Sequence, residues 1–310
     1  MKRFSIAIHG GAGTISRGKM SREKEQAYTK ALEEALQAGA SVLKNNGTAL
    51  AAVEKAVIAL EDSPLFNAGR GSVFTADGTH EMDASIMDGQ DLKCGAVSLI
   101  TGIKNPISLA RDVMQNSGHV FLAGEGAMKF AKKIGYKCEE ASYFFDEFRY
   151  RQWQKVKGSD SYKLDHSETD DTKFGTVGAV CCDLKGNLAA ATSTGGMTNK
   201  KWGRIGDSPV IGAGTYADNK TCAVSCTGSG EFFIRGVTAY DVSCLMKYKN
   251  ISLAEAASKT IHEHLPKIGG DGGLIAVDSQ GNVVMPFNTE GMYRGVMTSD
   301  GKKQISIYKD

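Results

Sequence analysis

Residues 174–180, FGTVGAV, mark the place where the chain changes from a polar segment to a buried strand. Residues 152–175 are rich in charged and hydroxyl side chains and hold only isolated apolar residues, which predicts a flexible linker. Residues 176–183 then read as a buried strand. The boundary falls at the bond between Gly175 and Thr176, so the sequence raises the question of what a threonine does there.

The predicted elements on both sides of this boundary run strands first and helices afterwards. The first half is predicted to contain strands at 3–8, 71–75, 80–88 and 94–101 and helices at 21–45, 48–61, 106–116 and 121–134. The second half is predicted to contain strands at 176–183, 187–194, 210–215 and 222–227, helices at 231–248 and 252–264, and a final hairpin at 272–287. This order favours stacked antiparallel layers covered by helices over a doubly wound parallel sheet.

Composition is that of an ordinary globular enzyme. Of the 310 residues, 41% are hydrophobic and 23% are charged, and the net charge is +2. No dense basic face is visible, so nucleic acid is not expected as a partner. The N-terminal apolar run is too short for a signal peptide and no apolar stretch of about 18 residues follows, so we expect no membrane segment and a cytoplasmic location.

The seven cysteines fit reduced, buried thiols better than a disulfide framework. Four of them lie in apolar runs that read as strands, where a free cysteine behaves as a small hydrophobe: Cys181, Cys182, Cys222 and Cys226.

Thr176 admits two interpretations. A threonine that opens a buried strand commonly serves packing and β-propensity. Alternatively, a flexible segment ending at Gly175 allows the hydroxyl of Thr176 to attack the preceding bond, and cleavage leaves Thr176 as a new N-terminus. Its free α-amine, with a reference pKa of about 7.7 to 8.0, then accepts the hydroxyl proton without another residue.

Three clusters of small residues follow at strand ends: STGGMTNK (193–200), GRIGDSP (203–209) and CTGSGE (226–231). They are compatible with simple tight turns, but their glycines also allow close approach to a ligand and their N–H and hydroxyl groups suit an oxyanion. Arg204 and Asp207 are either a surface ion pair or a grip for the two charges of an amino-acid zwitterion.

Two other classes of function compete with an enzyme of this kind. The segment IHGGAG (8–13) after the first strand suggests a phosphate loop of a nucleotide-binding protein, but the P-loop lysine and the GxGxxG spacing are missing. A binding module without catalysis is the other alternative, and the catalytic residue types in these motifs argue against it.

A series of motifs along essentially the whole chain resembles the plant-type asparaginases, also called isoaspartyl peptidases. The motifs occur in this order: IHGGAG, SPLFNAGRGSVF, HEMDASIMDG, GTVGAV, STGGMTNK, GRIGDSP, CTGSGE and PFNTEGMYRG. The resemblance implies an N-terminal nucleophile hydrolase with the α+β fold of a four-layer αββα sandwich, as a single domain over residues 1–310. It also implies self-cleavage into an α subunit (1–175) and a β subunit (176–310) that assemble as a dimer of αβ units.

The same resemblance implies a role for each matched residue. Thr176 is expected to be the nucleophile both for cleavage after Gly175 and for hydrolysis. Thr194 is expected to hydrogen-bond to it and tune it, and Asn67 to help position it. The expected oxyanion hole consists of Thr227 and the backbone of Gly228, which also contact substrate. For the substrate, Arg204 is expected to hold the α-carboxylate, and Asp207 and the carbonyl of Gly230 the α-amine.

The implied substrates are L-asparagine and β-aspartyl dipeptides, small molecules from which L-aspartate is released. No organic cofactor is expected. A structural sodium ion is expected on main-chain carbonyls of the loop LEDSPLFNAGR, namely those of Leu60, Glu61, Ser63, Phe66, Ala68 and Arg70. Related enzymes that act on glycosylated asparagine or as large endopeptidases are less expected, because the first group carries a signal peptide and the second is longer.

Overall fold

The structure is a computed structural model that describes residues 3–159 and 175–309. The strands of these residues are β1 (Ser5–Gly13), β2 (Met82–Asp88), β3 (Cys94–Ile100), β4 (Phe121–Ala123), β5 (Val177–Cys182), β6 (Leu188–Thr194), β7 (Thr215–Ala217), β8 (Cys222–Gly228), β9 (Gly272–Asp278), β10 (Val283–Val284), β11 (Gly291–Thr298) and β12 (Lys303–Tyr308). The chain is therefore a mixed α and β protein, as expected.

The helices are α1 (Arg22–Lys44), α2 (Ala49–Glu61), α3 (Pro106–Asn116), α4 (Gly124–Lys133), α5 (Ala141–Phe144), α6 (Glu147–Val156), α7 (Gly230–Gly236), α8 (Thr238–Lys249), α9 (Leu253–Lys259) and α10 (Leu265–Lys267). A short 3₁₀ turn (Gly69–Gly71) follows α2, and a π-helical turn (Thr260–His264) follows α9. The first two helices begin at hydroxyl caps, because the Ser21 and Thr48 side chains accept hydrogen bonds from backbone N–H groups three residues later. Asn46, with φ of 58°, turns the chain between them, as predicted.

The large sheet has the strand order β12-β11-β1-β5-β6-β2-β3-β4. All neighbouring pairs are antiparallel except β3 and β4. The second sheet has the order β10-β9-β8-β7 and is antiparallel throughout. The predicted antiparallel layering is confirmed, and β5, the strand that follows Thr176, lies in the middle of the large sheet.

Alternating side chains of the strands enter separate apolar cores. Ile6 and Ile8 of β1 share a core with α1, α2 and α3, whereas Ala7 between them packs with Ile275 of β9 in a core between the two sheets. Val224 of β8 packs with α8 and α9 in a third core. The sheets therefore face each other, and helices cover their outer faces.

The cysteine prediction is confirmed for the four strand positions, whereas Cys138 is exposed and Cys94 and Cys244 are half-buried. Cys181, Cys182, Cys222 and Cys226 are buried, and all seven cysteines are free thiols. Burial raises the pKa of each of these four thiols, so they remain protonated and apolar near neutral pH.

Part of the predicted linker is helical. Residues 152–156 belong to α6, because Trp153 is buried and stacks on Phe74 with the ring centroids 5.6 Å apart. The isolated Trp153 of this polar stretch therefore packs α6 against the rest of the protein. Residues 160–174 of the predicted linker lie outside the described residues, and their flexibility stays a prediction.

The C-terminal strands were missed. The predicted final hairpin is followed by a second one, β11 and β12, and β11 pairs with β1 in the large sheet. The glycines and Arg294 interrupt the apolar pattern of β11, so this segment was not predicted as a strand. The second strand of the predicted hairpin is reduced to Val283–Val284, since Pro286 lacks an N–H for the ladder.

Two predicted strands are mainly turns. Residues 71–75 follow the 3₁₀ turn, and only Thr75 forms a bridge, to Lys200. Within 210–215, the N–H groups of Val210 and Ala213 bond to carbonyls three residues earlier, as in turns, so the strand begins only at Thr215. The predicted helix 231–248 is divided at Val237, which adopts a left-handed conformation with φ of 47°.

Helix length and hydropathy together give no segment able to span a bilayer within residues 3–159 and 175–309.

Candidate active site

Thr176 lies immediately before β5 in a buried position, with 7% of its surface exposed. Its Oγ1 donates to the Oγ1 of Thr194 over 3.3 Å and lies 3.3 Å from the Oγ of Ser208. Here the hydroxyl joins a group of three hydroxyls, which favours the chemical interpretation.

Thr194 reaches Thr176 because of strand register. Val177 of β5 is paired with Ser193 of β6, so the residue before Val177 meets the residue after Ser193. The Oγ1 of Thr194 also accepts the N–H of Gly196 over 3.0 Å, which fixes this side chain at the start of the STGGMTNK loop.

Thr227, near the end of β8, lies on the other side of the Gly175–Thr176 bond. It is fully buried, and a Cβ built on Gly175 would lie 2.9 Å from its Oγ1. A Cβ on Gly11, whose φ is +113°, would lie 2.6 Å from the nitrogen of Gly175. The predicted cleavage site is therefore held between Thr227 and Gly11, the second glycine of IHGGAG.

This placement also explains the glycines of IHGGAG without a phosphate. They belong to β1 itself, and a Cβ on Gly10 would lie 2.5 Å from the ring of Phe66. Protein atoms fill the space that a phosphate would need, so the structure gives the nucleotide-binding alternative no support.

The predicted substrate-binding residues converge. A Cβ on Gly230 would lie 2.8 Å from Oδ1 of Asp207 and 3.0 Å from Nη2 of Arg204. The guanidinium of Arg204 binds the carboxylate of Glu231 through Nε, at 2.8 Å, and Nη2, at 2.9 Å. The side chain of Arg204 is 19% exposed and Asp207 is 3% exposed, so this is not the simple surface pair that the sequence also permitted.

Asp207 is a buried carboxylate that can accept a further hydrogen bond. Its Oδ2 has no hydrogen-bond partner among the described residues. Burial raises the pKa of Asp207 to about 7, although the charge of Arg204 favours the ionised form. A cationic ligand beside Oδ2 would supply the missing partner.

Ser208, which sequence analysis missed, connects the expected nucleophile with the expected substrate-binding residues. It follows Asp207 directly, and its Oγ lies 3.3 Å from the Oγ1 of Thr176. The signal was present in GRIGDSP, where a hydroxyl residue adjoins the expected ligand-binding aspartate.

His9 was also missed. It is fully buried on β1, and its Nδ1 lies 3.0 Å from the carbonyl oxygen of Thr176. Burial lowers the pKa of His9 to about 3, against the opposing effect of that backbone bond, so the imidazole is neutral. The available signal was a histidine inside an apolar strand, immediately before two glycines.

Asn67 and Gly228 support the site through the backbone. The side chain of Asn67 donates to the carbonyl of Gly196 over 2.7 Å, and its carbonyl accepts the N–H of Gly195 over 3.0 Å, so Asn67 holds the loop after Thr194. Gly228 has φ of +151°, and a Cβ there would clash with the carbonyl of Asp271.

The predicted sodium loop brings carbonyls close together around two glycines. A Cβ on Gly69 would lie 2.5 Å from the carbonyl oxygen of Glu61, and one on Gly71 would clash with the carbonyl oxygen of Phe66. The Phe66 oxygen accepts one N–H, from Ala68, and a carbonyl has a second lone pair. Such hard donors fit a sodium ion. The other members of the predicted set are Leu60 in the last turn of α2, Ser63 in the loop that follows it, and Arg70 in the 3₁₀ turn.

The chain is similar to known proteins over nearly its whole length. An isoaspartyl peptidase of Escherichia coli (strain K12) is 50% identical over 313 residues, which cover 100% of this chain and 98% of that protein. A probable isoaspartyl peptidase/L-asparaginase 2 of Arabidopsis thaliana is 43% identical over 100% of both chains. The isoaspartyl peptidase/L-asparaginase of Homo sapiens is 40% identical over 98% of this chain and 96% of that protein.

The asparaginase family itself matches residues 2–307, nearly the whole chain. The chain belongs to the asparaginase family.

Proposed function

We propose that this protein is a threonine hydrolase that cleaves the side-chain amide of L-asparagine and the isopeptide bond of β-aspartyl dipeptides, releasing L-aspartate. The observation that carries the proposal is the position of Thr176. Its hydroxyl lies 3.3 Å from Ser208, the neighbour of a buried carboxylate with a free oxygen. The family and the names of its relatives point to the same chemistry.

The first reaction is self-cleavage. Oγ1 of Thr176 attacks the carbonyl carbon of Gly175, the C–N bond breaks, and the peptide becomes an ester. This shift passes the hydroxyl proton to the leaving nitrogen and frees the α-amine of Thr176. Water then hydrolyses the ester, which releases the Gly175 carboxylate, restores the Thr176 hydroxyl and gives subunits 1–175 and 176–310. The hydroxyl of Thr227, beside Gly175, stabilises the oxyanion of this step.

The freed amine then serves as the base for Thr176 in substrate hydrolysis. Oγ1 attacks the side-chain carbonyl of the substrate and its proton passes to the α-amine. The tetrahedral oxyanion is stabilised by Thr227 and the backbone of Gly228. Ammonia or the peptide amine leaves with a proton, and water cleaves the β-aspartyl ester to give L-aspartate. Thr194 holds the nucleophile through its 3.3 Å bond.

Recognition rests on opposite charges at fixed positions. Arg204 binds the α-carboxylate of the substrate with the donors that Glu231 leaves free. Asp207 and the carbonyl of Gly230 bind the α-ammonium, which supplies a partner for Oδ2 and favours the ionised form of Asp207.

The carbonyls of Leu60, Glu61, Ser63, Phe66, Ala68 and Arg70 hold a structural sodium ion in this proposal. When bound, the ion fixes the loop that leads to Asn67 and takes no part in bond making. The close carbonyls around Gly69 and Gly71 support this role.

The three apolar cores support the four-layer αββα sandwich of the N-terminal nucleophile hydrolases. The dimer of αβ units and the cytoplasmic location stay predictions.

The experiment is to measure L-aspartate release by the purified protein from L-asparagine and from a β-aspartyl dipeptide. We expect release from both, and none from the Thr176→Ala protein. Release by Thr176→Ala at the wild-type rate would refute the proposed nucleophile.

A further inference from the structure

A chain of hydrogen bonds runs through the space between the two sheets, from the backbone of Thr176 to that of Ser208. Five side chains form this hydroxyl relay, and each is fully buried: His9, Ser225, Thr192, Thr215 and Ser85. They come from five different strands, β1, β8, β6, β7 and β2. Apolar side chains fill the surrounding core, so this polar chain is a specific departure from it.

The contacts are continuous. Nε2 of His9 lies 2.9 Å from Oγ of Ser225, which lies 2.7 Å from Oγ1 of Thr192. Oγ1 of Thr215 donates to Thr192 over 2.5 Å. Oγ of Ser85 lies 2.8 Å from Thr215 and 2.6 Å from the carbonyl oxygen of Ser208.

Counting protons gives the relay a direction. The carbonyl of Thr176 can only accept, so Nδ1 of His9 carries the proton, and in a neutral ring Nε2 must then accept. Ser225 therefore gives its single proton to His9. Thr192 then gives its proton to Ser225, at 2.7 Å, rather than to the more distant Gly214 carbonyl, at 3.3 Å.

The same logic continues to the other end of the chain. Thr215 gives its proton to Thr192 over 2.5 Å rather than to the Ser208 carbonyl at 3.3 Å. Ser85 has a single proton, which it shares between Thr215 and the Ser208 carbonyl. All the hydroxyl protons from Thr215 onward point towards His9.

We propose that the hydroxyl relay locks one tautomer of His9 and thereby holds the carbonyl of Thr176, so that these five side chains are positioning residues for the nucleophile. The proposal rests on the proposed function of Thr176. After cleavage, Thr176 is tethered only through its carbonyl side. The bond from His9 fixes the carbonyl oxygen and with it the peptide plane from which the free amine and the hydroxyl project.

The relay also reaches the hydroxyl side of the nucleophile. Its far end bonds to the backbone of Ser208, whose Oγ touches Oγ1 of Thr176. The network therefore contacts Thr176 from two directions. A buried polar network is costly when any member loses its partner. Removal of one hydroxyl therefore weakens the hydrogen bonds of the other side chains in the relay.

A matched pair at His9 tests the bond to Thr176. In His9→Asn the amide nitrogen takes the place of Nδ1 and can still donate to the carbonyl. In His9→Gln the side chain reaches towards Ser225 instead. We expect kcat for L-asparagine to fall about tenfold in His9→Gln, equivalent to about 1.4 kcal/mol, with KM nearly unchanged, and to fall less in His9→Asn. Equal losses in both, or a larger loss in His9→Asn, would overturn the proposal.

A second pair tests the hydroxyls. Thr192→Val keeps the shape and removes the hydroxyl, whereas Thr192→Ser keeps the hydroxyl. Thr221→Val is the control, because Thr221 is a buried threonine whose hydroxyl bonds to Ser243 in another part of the molecule. We expect a severalfold loss of kcat in Thr192→Val only. The relay is refuted if Thr192→Val and Thr221→Val behave alike.

A spectroscopic measurement decides the matter if these variants fail to fold. Nitrogen-15 NMR of labelled wild-type protein, with the His9 ring assigned through its connectivity to the backbone, reports which ring nitrogen of His9 carries the proton. We expect the proton on Nδ1 at neutral pH. A proton on Nε2 or on both nitrogens would overturn the relay. The result is independent of activity, so it separates failure of the relay from failure of Thr176 as the nucleophile.

Discussion

The carboxylate of Glu231 binds Arg204 through two parallel hydrogen bonds, 2.8 Å from Nε and 2.9 Å from Nη2. A guanidinium has five N–H donors, so three remain for a ligand. Gly230 lies between Arg204 and Asp207, because a Cβ there would be 3.0 Å from Nη2 and 2.8 Å from Oδ1. The bond to Glu231 therefore holds the guanidinium beside Gly230 and Asp207.

Arg204→Lys should impair substrate binding, because an ammonium cannot bond to Glu231 with two parallel donors and still serve a carboxylate. We expect kcat/KM for L-asparagine to fall about 10- to 100-fold, the effect of one charged hydrogen bond, mainly through KM. The control is Arg235→Lys, since Arg235 lies further along α7 over the ring of Phe232. Loss of equal size in both variants would contradict the role of Arg204.

Asp207 should make substrate capture dependent on pH. Its pKa of about 7 means that the carboxylate is ionised above that pH and protonated below it. Only the ionised form attracts an α-ammonium, so kcat/KM falls as the pH drops from 8 to 6. The freed amine of Thr176, with a reference pKa of about 7.7 to 8.0, is lost as a base in the same direction.

The Asp207→Asn protein separates these two groups. In wild type, the logarithm of kcat/KM should fall with a limiting slope of two against pH, one for each group. In Asp207→Asn, kcat/KM should be lower throughout and the slope should be one. A slope of two in the variant would show that Asp207 is not the second group.

Thr227→Ala should slow both self-cleavage and turnover, because its hydroxyl adjoins Gly175 and is the side-chain donor of the proposed oxyanion hole. Loss of one such donor typically lowers kcat about 100- to 1,000-fold. Thr227→Ser, which keeps the hydroxyl, should retain most of the rate, and circular dichroism should show an intact fold in both. Near-normal turnover by Thr227→Ala would contradict the assignment.

Gly69→Ala should destabilise the proposed sodium loop. At φ of +52°, a Cβ is strained and would lie 2.5 Å from the Glu61 carbonyl oxygen. We expect a loss of about 1 to 3 kcal/mol in the free energy of unfolding. The Tm of wild type should also fall when choline chloride replaces sodium chloride. Gly126→Ala in α4, where a Cβ meets no atom within 4 Å, is the control and should not lower the stability. Insensitivity of the wild-type Tm to sodium would argue against the ion.

Sequence analysis predicted those parts of the fold that have a clear local pattern. Helices α1 and α2 end within a residue or two of their predicted bounds, because capping hydroxyls and Asn46-Gly47 mark their ends. β11 was missed, because its pairing with β1 joins residues nearly 290 positions apart and leaves little local pattern. The helix break at Val237 was also missed, because a valine seldom adopts a left-handed conformation and the local sequence does not predict one there.

In the site, the residue pattern indicated Thr176 and Arg204 as candidates, the resemblance implied their roles and added Thr194, and the structure supplied what surrounds them. Glu231, Ser208 and His9 carry no local sign of their partners, because each contact crosses between strands or loops distant in sequence. Such contacts depend on how the two sheets face each other, which periodicity does not report.

The most direct test of the central claim is the intact mass of the purified protein beside its Thr176→Ala form. We predict that active wild type consists of two chains, residues 1–175 and 176–310, while the variant remains a single inactive chain of 310 residues. Full activity in wild-type protein that remains one uncut chain would contradict the claim that Thr176 becomes a nucleophile through its own freed amine.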